Sequence, residues 1–132
     1  MPETPETPSE SAPRKRILLV DDERDLSAVL IRSLESFGFK ASAVQDPLQA
    51  CKVAYDLHPD LVILDFDMPK LTGPEVAIEL RKIPALTKVP IIFLSGMADG
   101  DHRMIATASG AVAYLDKPID EQELIRTVRR LI

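Results

Sequence analysis

Hydrophobic residues follow two alternating periods along most of the chain. Short aliphatic runs, such as ILLV at residues 17–20 and IIFL at residues 91–94, are typical of strands buried on both faces of a parallel sheet. Between these runs, apolar residues recur every three or four positions, as they do on one face of a helix. The pattern predicts strands at residues 17–20, 40–44, 61–64, 91–94 and 113–115.

The segments between the predicted strands carry helix start and stop signals. An apolar stripe ending at Phe37 predicts the first helix, and Gly38 stands where a glycine commonly ends a helix. Asp46 and Pro47 predict the N-cap and first residue of the second helix. The remaining helices are expected to begin at Gly73, around Arg103 and after Asp120.

Five successive strand–helix units predict an α/β fold. Aliphatic strands alternating with amphipathic helices imply a five-stranded parallel sheet with helices on both faces and right-handed crossovers. A TIM barrel needs eight such units, so the sequence favours an open, doubly wound sheet. Ligands of these sheets bind beyond the carboxyl ends of the strands.

The length and composition fit one soluble globular domain. The chain has 132 residues, of which 45% are hydrophobic and 28% charged, and its formal net charge is −5. Net acidity argues against nucleic acid as the main ligand, because phosphate binding requires a basic surface. No apolar run approaches the length of a membrane span. Cys51 is the single cysteine, which excludes an internal disulfide and fits a reducing cytoplasm.

The stretch MPETPETPSESAP, residues 1–13, differs in composition from the rest. It holds four prolines and three glutamates and has no large apolar residue after Met1, so it buries too little surface to offset the entropy of ordering. We expect residues 1–15 to form a disordered tail and residues 16–132 to form the domain. A cloning remnant, the end of a linker and a natural tail are all compatible with this composition.

Polar residues follow four of the five predicted strands. Asp21 and Asp22 follow the first strand, Asp65 the third and Ser95 the fourth, and Lys117 comes shortly after the fifth. These side chains should converge, because parallel strands end at one edge of the sheet. Crowded carboxylates raise each other's pKa unless a cation joins them, and oxygen ligands of this kind suit Mg²⁺. With an ammonium and a hydroxyl group added, the set predicts a phosphoryl-binding site.

Each of these residues also has an ordinary structural interpretation. Asp21 or Asp22 alone is compatible with an N-cap of the first helix, Asp65 with the start of a loop, Ser95 with a turn, and Lys117 with a solvated charge. The coincidence of polar groups at four strand ends favours a shared site.

Four motifs stand in order along the chain: ILLVDDE (17–23), VILDFDMPKLTG (62–73), IIFLSG (91–96) and AYLDKP (113–118). Together they resemble the receiver domain of two-component response regulators, over about residues 16–132. The resemblance implies a flavodoxin-like sheet with the strand order 2-1-3-4-5. It also implies Mg²⁺-dependent transfer of a phosphoryl group from a phosphohistidine to one aspartate.

By this resemblance, Asp65 is the expected phosphoacceptor. Asp22 and Asp65 are expected to ligate Mg²⁺ directly, and Asp21 to act largely through coordinated water. The backbone carbonyl of Asp67 is expected to be a further metal ligand. Lys117 is expected to pair with the phosphoryl oxygens.

The resemblance also implies a conformational switch. Ser95 is expected to hydrogen-bond the phosphoryl group, and the ring of Tyr114 to swing inward behind it, which repacks the face of the fourth helix, fifth strand and fifth helix. Tyr114 is equally compatible with a half-buried strand aromatic that has no switching role. The peptide bond between Lys117 and Pro118 is expected to be cis.

Two residues near the expected site depart from the family's common pattern. Asp67 adds a fourth acidic side chain, which strengthens the acidic field or hinders the phosphodonor if it points inward. Met97 is large and apolar, and we expect it to affect access by water or by the donor. Gly96 is expected to leave room at the phosphoryl group.

The leading hypothesis is a receiver that takes phosphate from a histidine kinase or a histidine phosphotransfer protein and catalyses only its own phosphorylation and dephosphorylation. An alternative is a small Mg²⁺-dependent phosphatase that uses the same acidic site. A nucleotide-binding module is disfavoured, because no glycine-rich phosphate loop follows any strand. We expect output through a downstream protein or a fused output domain, with phosphorylation-dependent homodimerisation and no direct contact with nucleic acid or membrane.

Overall fold

The computed structural model describes residues 14–96 and 100–132, so residues 1–13 of the predicted tail (1–15) lie outside the described residues. Single 3₁₀ turns lie at Pro47–Gln49 and Pro84–Leu86. The strands are β1 (Arg16–Val20), β2 (Lys40–Val44), β3 (Leu61–Asp65), β4 (Ile91–Ser95) and β5 (Ala113–Asp116). The α-helices are α1 (Arg24–Ser36), α2 (Ala50–Leu57), α3 (Gly73–Arg81), α4 (Gly100–Ala108) and α5 (Glu121–Leu131).

The strands form one parallel sheet in the order β2-β1-β3-β4-β5, which confirms the predicted topology. The three central strands are almost entirely buried, because helices cover both faces of the sheet. The edge strand β2 is mostly half-buried, which fits its sequence KASAV. Within the described residues, no helix is long and apolar enough to cross a membrane.

Alternate side chains of the central strands belong to two hydrophobic layers. On one face, Leu18, Val62 and Phe93 pack with apolar residues of α2, α3 and α4. On the other face, Leu19 and Ile63 pack with apolar residues of α1 and α5. Because both layers are closely packed, the residues at the carboxyl ends of the strands have fixed positions.

The strands β3 and β4 each continue one residue beyond the aliphatic run that predicted them. Asp65 pairs with Leu94 of the neighbouring strand, and Ser95 pairs with Asp116. Backbone pairing therefore extends each strand past its last apolar side chain, and hydrophobicity alone does not mark such an end.

The starts of three helices refine the sequence prediction. The second helix opens with a 3₁₀ turn in which the Asp46 carboxylate accepts a hydrogen bond from the N–H of Leu48 (3.0 Å), as expected of a cap. α3 is capped by Thr72, which exchanges hydrogen bonds with Glu75 in a capping box that hydrophobic periodicity does not reveal. α4 begins at Gly100, earlier than predicted.

The guanidinium group of Arg81 joins two loops at the amino end of the sheet. It donates hydrogen bonds to the backbone carbonyls of Leu86 (3.0 Å), Val89 (2.6 Å) and Gly110 (3.2 Å). Burial lowers the pKa of Arg81. These bonds fix the segments that lead into β4 and β5, and therefore where the two strands enter the sheet.

Gly73, the first residue of α3, packs directly against the backbone beside Asp65. Its N–H donates to the carbonyl of Phe66 (2.9 Å). A β-carbon at this position would lie 2.8 Å from Cε1 of Phe93 and 3.0 Å from Cα of Phe66, and closer still to the carbonyl oxygen of Asp65. Only glycine fits here without a shift of the surrounding backbone.

We expect Gly73→Ala to lower the free energy of unfolding by about 1–3 kcal/mol, because α3 or β3 must move to admit the methyl group. Urea denaturation measures the loss. Gly96→Ala is the matched control, because a β-carbon there meets no atom of the described residues within 4 Å, and its effect should stay below about 0.5 kcal/mol. Equal stability of Gly73→Ala and the wild type would contradict this packing.

Candidate functional site

The structure brings the predicted polar residues to the carboxyl edge of the sheet. Asp21 directly follows β1, Asp65 and Ser95 are the last residues of β3 and β4, and Lys117 directly follows β5. Asp21 and Ser95 are fully buried, and Asp65 is 3% exposed. The residues meet because parallel strands end on the same side of the sheet.

The ammonium group of Lys117 faces three carboxylates. Its Nζ lies 3.2 Å from Oδ1 of Asp65, 3.5 Å from Oδ2 of Asp21 and 3.2 Å from Oε1 of Glu23. The backbone N–H of Lys117 donates to the carbonyl of Ser95 (2.8 Å), and the Lys117–Pro118 peptide bond is cis. Glu23 is a contact that the strand-end pattern did not single out, since it lies two residues beyond Asp21.

Three aspartates provide a candidate cation site. One carboxylate oxygen each from Asp21, Asp22 and Asp65 lies within 4.8 Å of the other two, and Asp22 is exposed. The N–H of Glu23 donates to Oδ1 of Asp21 (2.9 Å), whereas Oδ2 of Asp21 is buried and accepts no hydrogen bond within the described structure. A buried carboxylate oxygen without a donor, beside two further carboxylates, fits a hard divalent cation such as Mg²⁺.

The two buried aspartates at this edge, Asp65 and Asp21, are difficult to ionise. Burial, and then the negative charge of Asp21, raise the pKa of Asp65 to about 7, although Lys117 and the backbone N–H of Asp67 partly oppose the shift. Burial also raises the pKa of Asp21. Burial disfavours the charged form of Lys117, but the carboxylates of Asp65 and Asp21 outweigh it and raise the pKa of the lysine. The site therefore holds more negative charge than Lys117 neutralises.

The remaining predicted residues beside Asp65 have different outcomes. The side chain of Asp67 is exposed, while its backbone N–H donates to the carboxylate of Asp65. The acidic side chain of Asp67 therefore does not point into the buried part of the site. Gly96 is exposed. Met97 lies outside the described residues.

Tyr114 lies on the same face of the sheet as Ser95. Side chains alternate along β4, so Phe93 and Ser95 share a face, and Phe93 pairs with Tyr114 of β5. The half-buried ring of Tyr114 lies 6.5 Å from the ring of Phe66, centroid to centroid, and the guanidinium group of Arg103 lies 4.5 Å above it. Phe66 directly follows Asp65, so its buried ring connects the site with Tyr114 of β5.

Arg103 extends this contact to the surface. It forms an ion pair with Asp116 (3.1 Å), the last residue of β5. No pattern in the sequence marks either partner, because an exposed arginine and an exposed aspartate are ordinary surface residues. Tyr114 is thus held between a buried aromatic ring and an exposed cation.

Comparison with known proteins identifies close relatives of this fold and sequence. The family model for the response regulator receiver domain matches residues 17–129. The chain is 37% identical over 117 residues to the transcriptional regulatory protein PrrA of Mycobacterium leprae. The aligned region covers 89% of this chain and 49% of PrrA. It is 37% identical over 116 residues to the DNA-binding response regulator MtrA of the same species, with coverages of 88% and 50%. The chain spans about half the length of these curated relatives.

Solved structures share the whole fold. The chemotaxis protein CheY4 of Vibrio cholerae aligns with a TM-score of 0.87 and 25% identity, covering 91% of this chain and 100% of CheY4. A response regulator from Desulfuromonas acetoxidans aligns with a TM-score of 0.81 and 30% identity, covering 88% and 94%. The resemblance found in the four sequence motifs is confirmed.

The raised pKa of Asp65 predicts how the stability of the metal-free protein depends on pH. A carboxyl group whose folded pKa of about 7 lies above its ordinary value of 3.8 binds its proton more tightly in the folded state. Its stabilising contribution is complete below about pH 4 and is lost as the pH rises through about 7. We therefore expect metal-free wild type to be less stable at about pH 8 than at about pH 5, with the loss ending near pH 7, and Asp65→Asn to be more stable than wild type at about pH 8, by roughly 1–2 kcal/mol.

Urea denaturation in EDTA at both pH values measures this difference. Asp56→Asn is the control, because it removes an exposed aspartate of α2 that pairs only with the exposed Lys52 in the described structure, and its effect should stay within about 0.5 kcal/mol. If Asp65→Asn is instead less stable than wild type at the higher pH, the prediction is wrong. The ion pair with Lys117 then stabilises the fold by more than burial of the Asp65 carboxylate destabilises it.

Proposed function

The chain belongs to the response regulator receiver domain family of two-component systems, and from this we propose that Asp65 is its phosphoacceptor. The observation that carries the proposal is the contact of one ammonium group, that of Lys117, with the buried carboxylates of Asp65 and Asp21. Asp65 is the last residue of the central strand β3, and the neighbouring strands β1 and β4 end at the same edge of the sheet.

The reaction is an in-line phosphoryl transfer from a phosphohistidine of a histidine kinase or a histidine phosphotransfer protein. A carboxylate oxygen of Asp65 attacks the phosphorus atom, and the bond between phosphorus and the imidazole nitrogen breaks as the new oxygen–phosphorus bond forms. The imidazole keeps the electron pair of the broken bond. The product is an acyl phosphate on Asp65.

The groups around Asp65 position the reactants and stabilise charge. Asp22 and Asp65 are proposed to hold Mg²⁺ directly with the backbone carbonyl of Asp67, and Asp21 to act largely through coordinated water. A bound Mg²⁺ supplies positive charge close to the phosphoryl oxygens. Lys117 donates to a phosphoryl oxygen, and the hydroxyl of Ser95 donates to another.

Ser95 and Tyr114 are proposed to convert the new charge into a change of surface. The two side chains share a face of the sheet, and Tyr114 borders the surface formed by α4, β5 and α5. When Ser95 moves toward the phosphoryl group, the ring of Tyr114 follows inward. Output then passes to a downstream protein or a fused output domain, as in relatives named DNA-binding regulators. The comparisons give no support to the alternative of a phosphatase.

Incubation with Mg²⁺ and acetyl phosphate, followed by intact mass measurement, tests the acceptor. We expect a single phosphoryl adduct on the wild type and none on Asp65→Asn, because the asparagine amide is not a nucleophile toward phosphorus. Asp56→Asn, which removes an exposed aspartate of α2, is the control and should be phosphorylated like the wild type. EDTA should suppress the adduct.

Two results would contradict the assignment. Absence of an adduct on the wild type would reject phosphoacceptor function under these conditions. An adduct that survives Asp65→Asn would move the acceptor to another residue. More than stoichiometric turnover of a small phosphate ester would instead favour the phosphatase.

Exposed apolar side chains on α4 and just before β5 support phosphorylation-dependent dimerisation through the α4–β5 side of the domain. Met104, Ile105 and Val112 are 70%, 47% and 53% exposed. With Mg²⁺ and beryllofluoride, a phosphoryl mimic, we expect sedimentation velocity to detect a dimer of the wild type. Met104→Glu should prevent it, whereas Ile78→Glu, at an exposed apolar residue of α3, should not. A monomer that is unchanged by beryllofluoride would count against dimerisation.

A further inference from the structure

Glu23 occupies the N-cap position of α1 without capping the helix. Its carbonyl accepts the helical hydrogen bond from the N–H of Ser27 (3.0 Å), but its side chain makes no cap hydrogen bond. Glutamate is not among the preferred N-cap residues, which are Ser, Thr, Asp and Asn. Capping therefore does not account for a glutamate at this position, and another role for its side chain is indicated.

The side chain of Glu23 contacts Lys117 instead. Its Oε1 accepts a hydrogen bond from Nζ of Lys117 (3.2 Å), the same distance as that from Nζ to Oδ1 of Asp65. The two carboxylates differ in exposure, because the side chain of Glu23 is 60% exposed and that of Asp65 is 4% exposed. Lys117 thus bridges a buried acid and an exposed one.

We propose that Glu23 is a positioning residue that holds Lys117 in the unphosphorylated site and is released when Lys117 binds the phosphoryl group. This inference rests on the proposed function, since it requires Lys117 to donate to a phosphoryl oxygen. Nζ of Lys117 donates hydrogen bonds to Glu23 and Asp65 and forms an ion pair with Asp21. A phosphoryl oxygen that draws the ammonium group toward itself therefore competes with these three contacts.

Glu23 is the carboxylate that Lys117 can leave most easily. Water replaces the ammonium at an exposed carboxylate with little change in free energy. Asp21 is fully buried, and its Oδ2 already lacks a hydrogen-bond donor, so loss of Lys117 there would leave a buried charge without a neighbouring cation. Lys117 therefore exchanges Glu23 for the phosphoryl oxygen and keeps the buried acids.

This exchange makes Glu23 a competitor of the phosphoryl group. Removing the competing contact should lower the dissociation constant of a phosphoryl mimic by about two- to fivefold, because the small free energy of an exposed ion pair corresponds to a factor of this size. The backbone N–H of Glu23 donates to Asp21 (2.9 Å) whatever the side chain, so a substitution of Glu23 leaves that hydrogen bond in place.

Calorimetric titration with beryllofluoride at saturating Mg²⁺ measures the effect in four proteins: wild type, Glu23→Gln, Glu23→Asp and Asp25→Asn. Glu23→Gln removes the charge and keeps the shape. Glu23→Asp keeps the charge, but its carboxylate is one methylene shorter and is drawn to the cap position of α1. Asp25→Asn is the matched control, because it removes an exposed charge from the first turn of the same helix.

We expect Glu23→Gln and Glu23→Asp both to bind beryllofluoride about two- to fivefold more tightly than wild type. Asp25→Asn should stay close to the wild type. If Glu23→Asp behaves like the wild type while Glu23→Gln binds tightly, repulsion by the charge explains the effect, and the positioning role is rejected. If Glu23→Gln binds equally or more weakly than wild type, the proposal is also rejected.

A second measurement tests the contact without metal or phosphoryl mimic. In a proton–nitrogen NMR spectrum of the lysine ammonium groups, the signal of Lys117 is identified by its loss in Lys117→Arg. We expect Glu23→Gln and Glu23→Asp to shift this signal and to speed its exchange with water, and Asp25→Asn to leave it unchanged. An unchanged Lys117 signal in Glu23→Gln would overturn the proposed contact.

The two proposals fail in distinguishable ways. If the wild type binds no beryllofluoride in the presence of Mg²⁺, the proposed function fails, and the role of Glu23 in phosphoryl binding fails with it. If the wild type binds beryllofluoride and the Glu23 variants bind no more tightly, only the role of Glu23 fails.

Discussion

The excess of carboxylates over cations at one buried edge of the sheet is the constraint on which the rest of the site depends. Asp21 and Asp65 are almost inaccessible to solvent, and both lie within ion-pair distance of Lys117. Burial raises the pKa of both acids, and the charge of Asp21 raises that of Asp65 further, so folding brings them into an environment that disfavours their charge. Two packed hydrophobic layers fix the strands β1 and β3 and hold the two acids together against this repulsion.

The same constraint suits the site, in the proposed function, to both a cation and an anion. The buried Oδ2 of Asp21 and the exposed carboxylate of Asp22 would attract a divalent cation. Lys117, on the segment after β5, offers an ammonium group to an anion. A phosphoryl group on Asp65 would lie close to both positive charges.

The sequence could predict the fold and the buried members of the site, but not the contacts at its rim. Aliphatic runs and helix signals placed the five strands, and the motifs that resemble the receiver family gave their order. Asp21, Asp65 and Ser95 were identifiable because each directly follows a strand end that the hydrophobic pattern locates. The contacts of Glu23 with Lys117 and of Arg103 with Tyr114 join distant parts of the chain through exposed side chains, and no periodicity constrains such residues.

Packing, rather than charge, connects Asp65 with the α4–β5 surface. Phe66 follows Asp65 directly, and its ring lies 5.5 Å from that of Phe93 and 6.5 Å from that of Tyr114. Tyr114 also lies under the exposed guanidinium group of Arg103, a contact that stabilises its present position by about 0.5–1 kcal/mol. Inward movement of the ring would exchange this contact for closer packing on Phe66. In the proposed switch, a charge added at Asp65 would act on the balance between these two contacts.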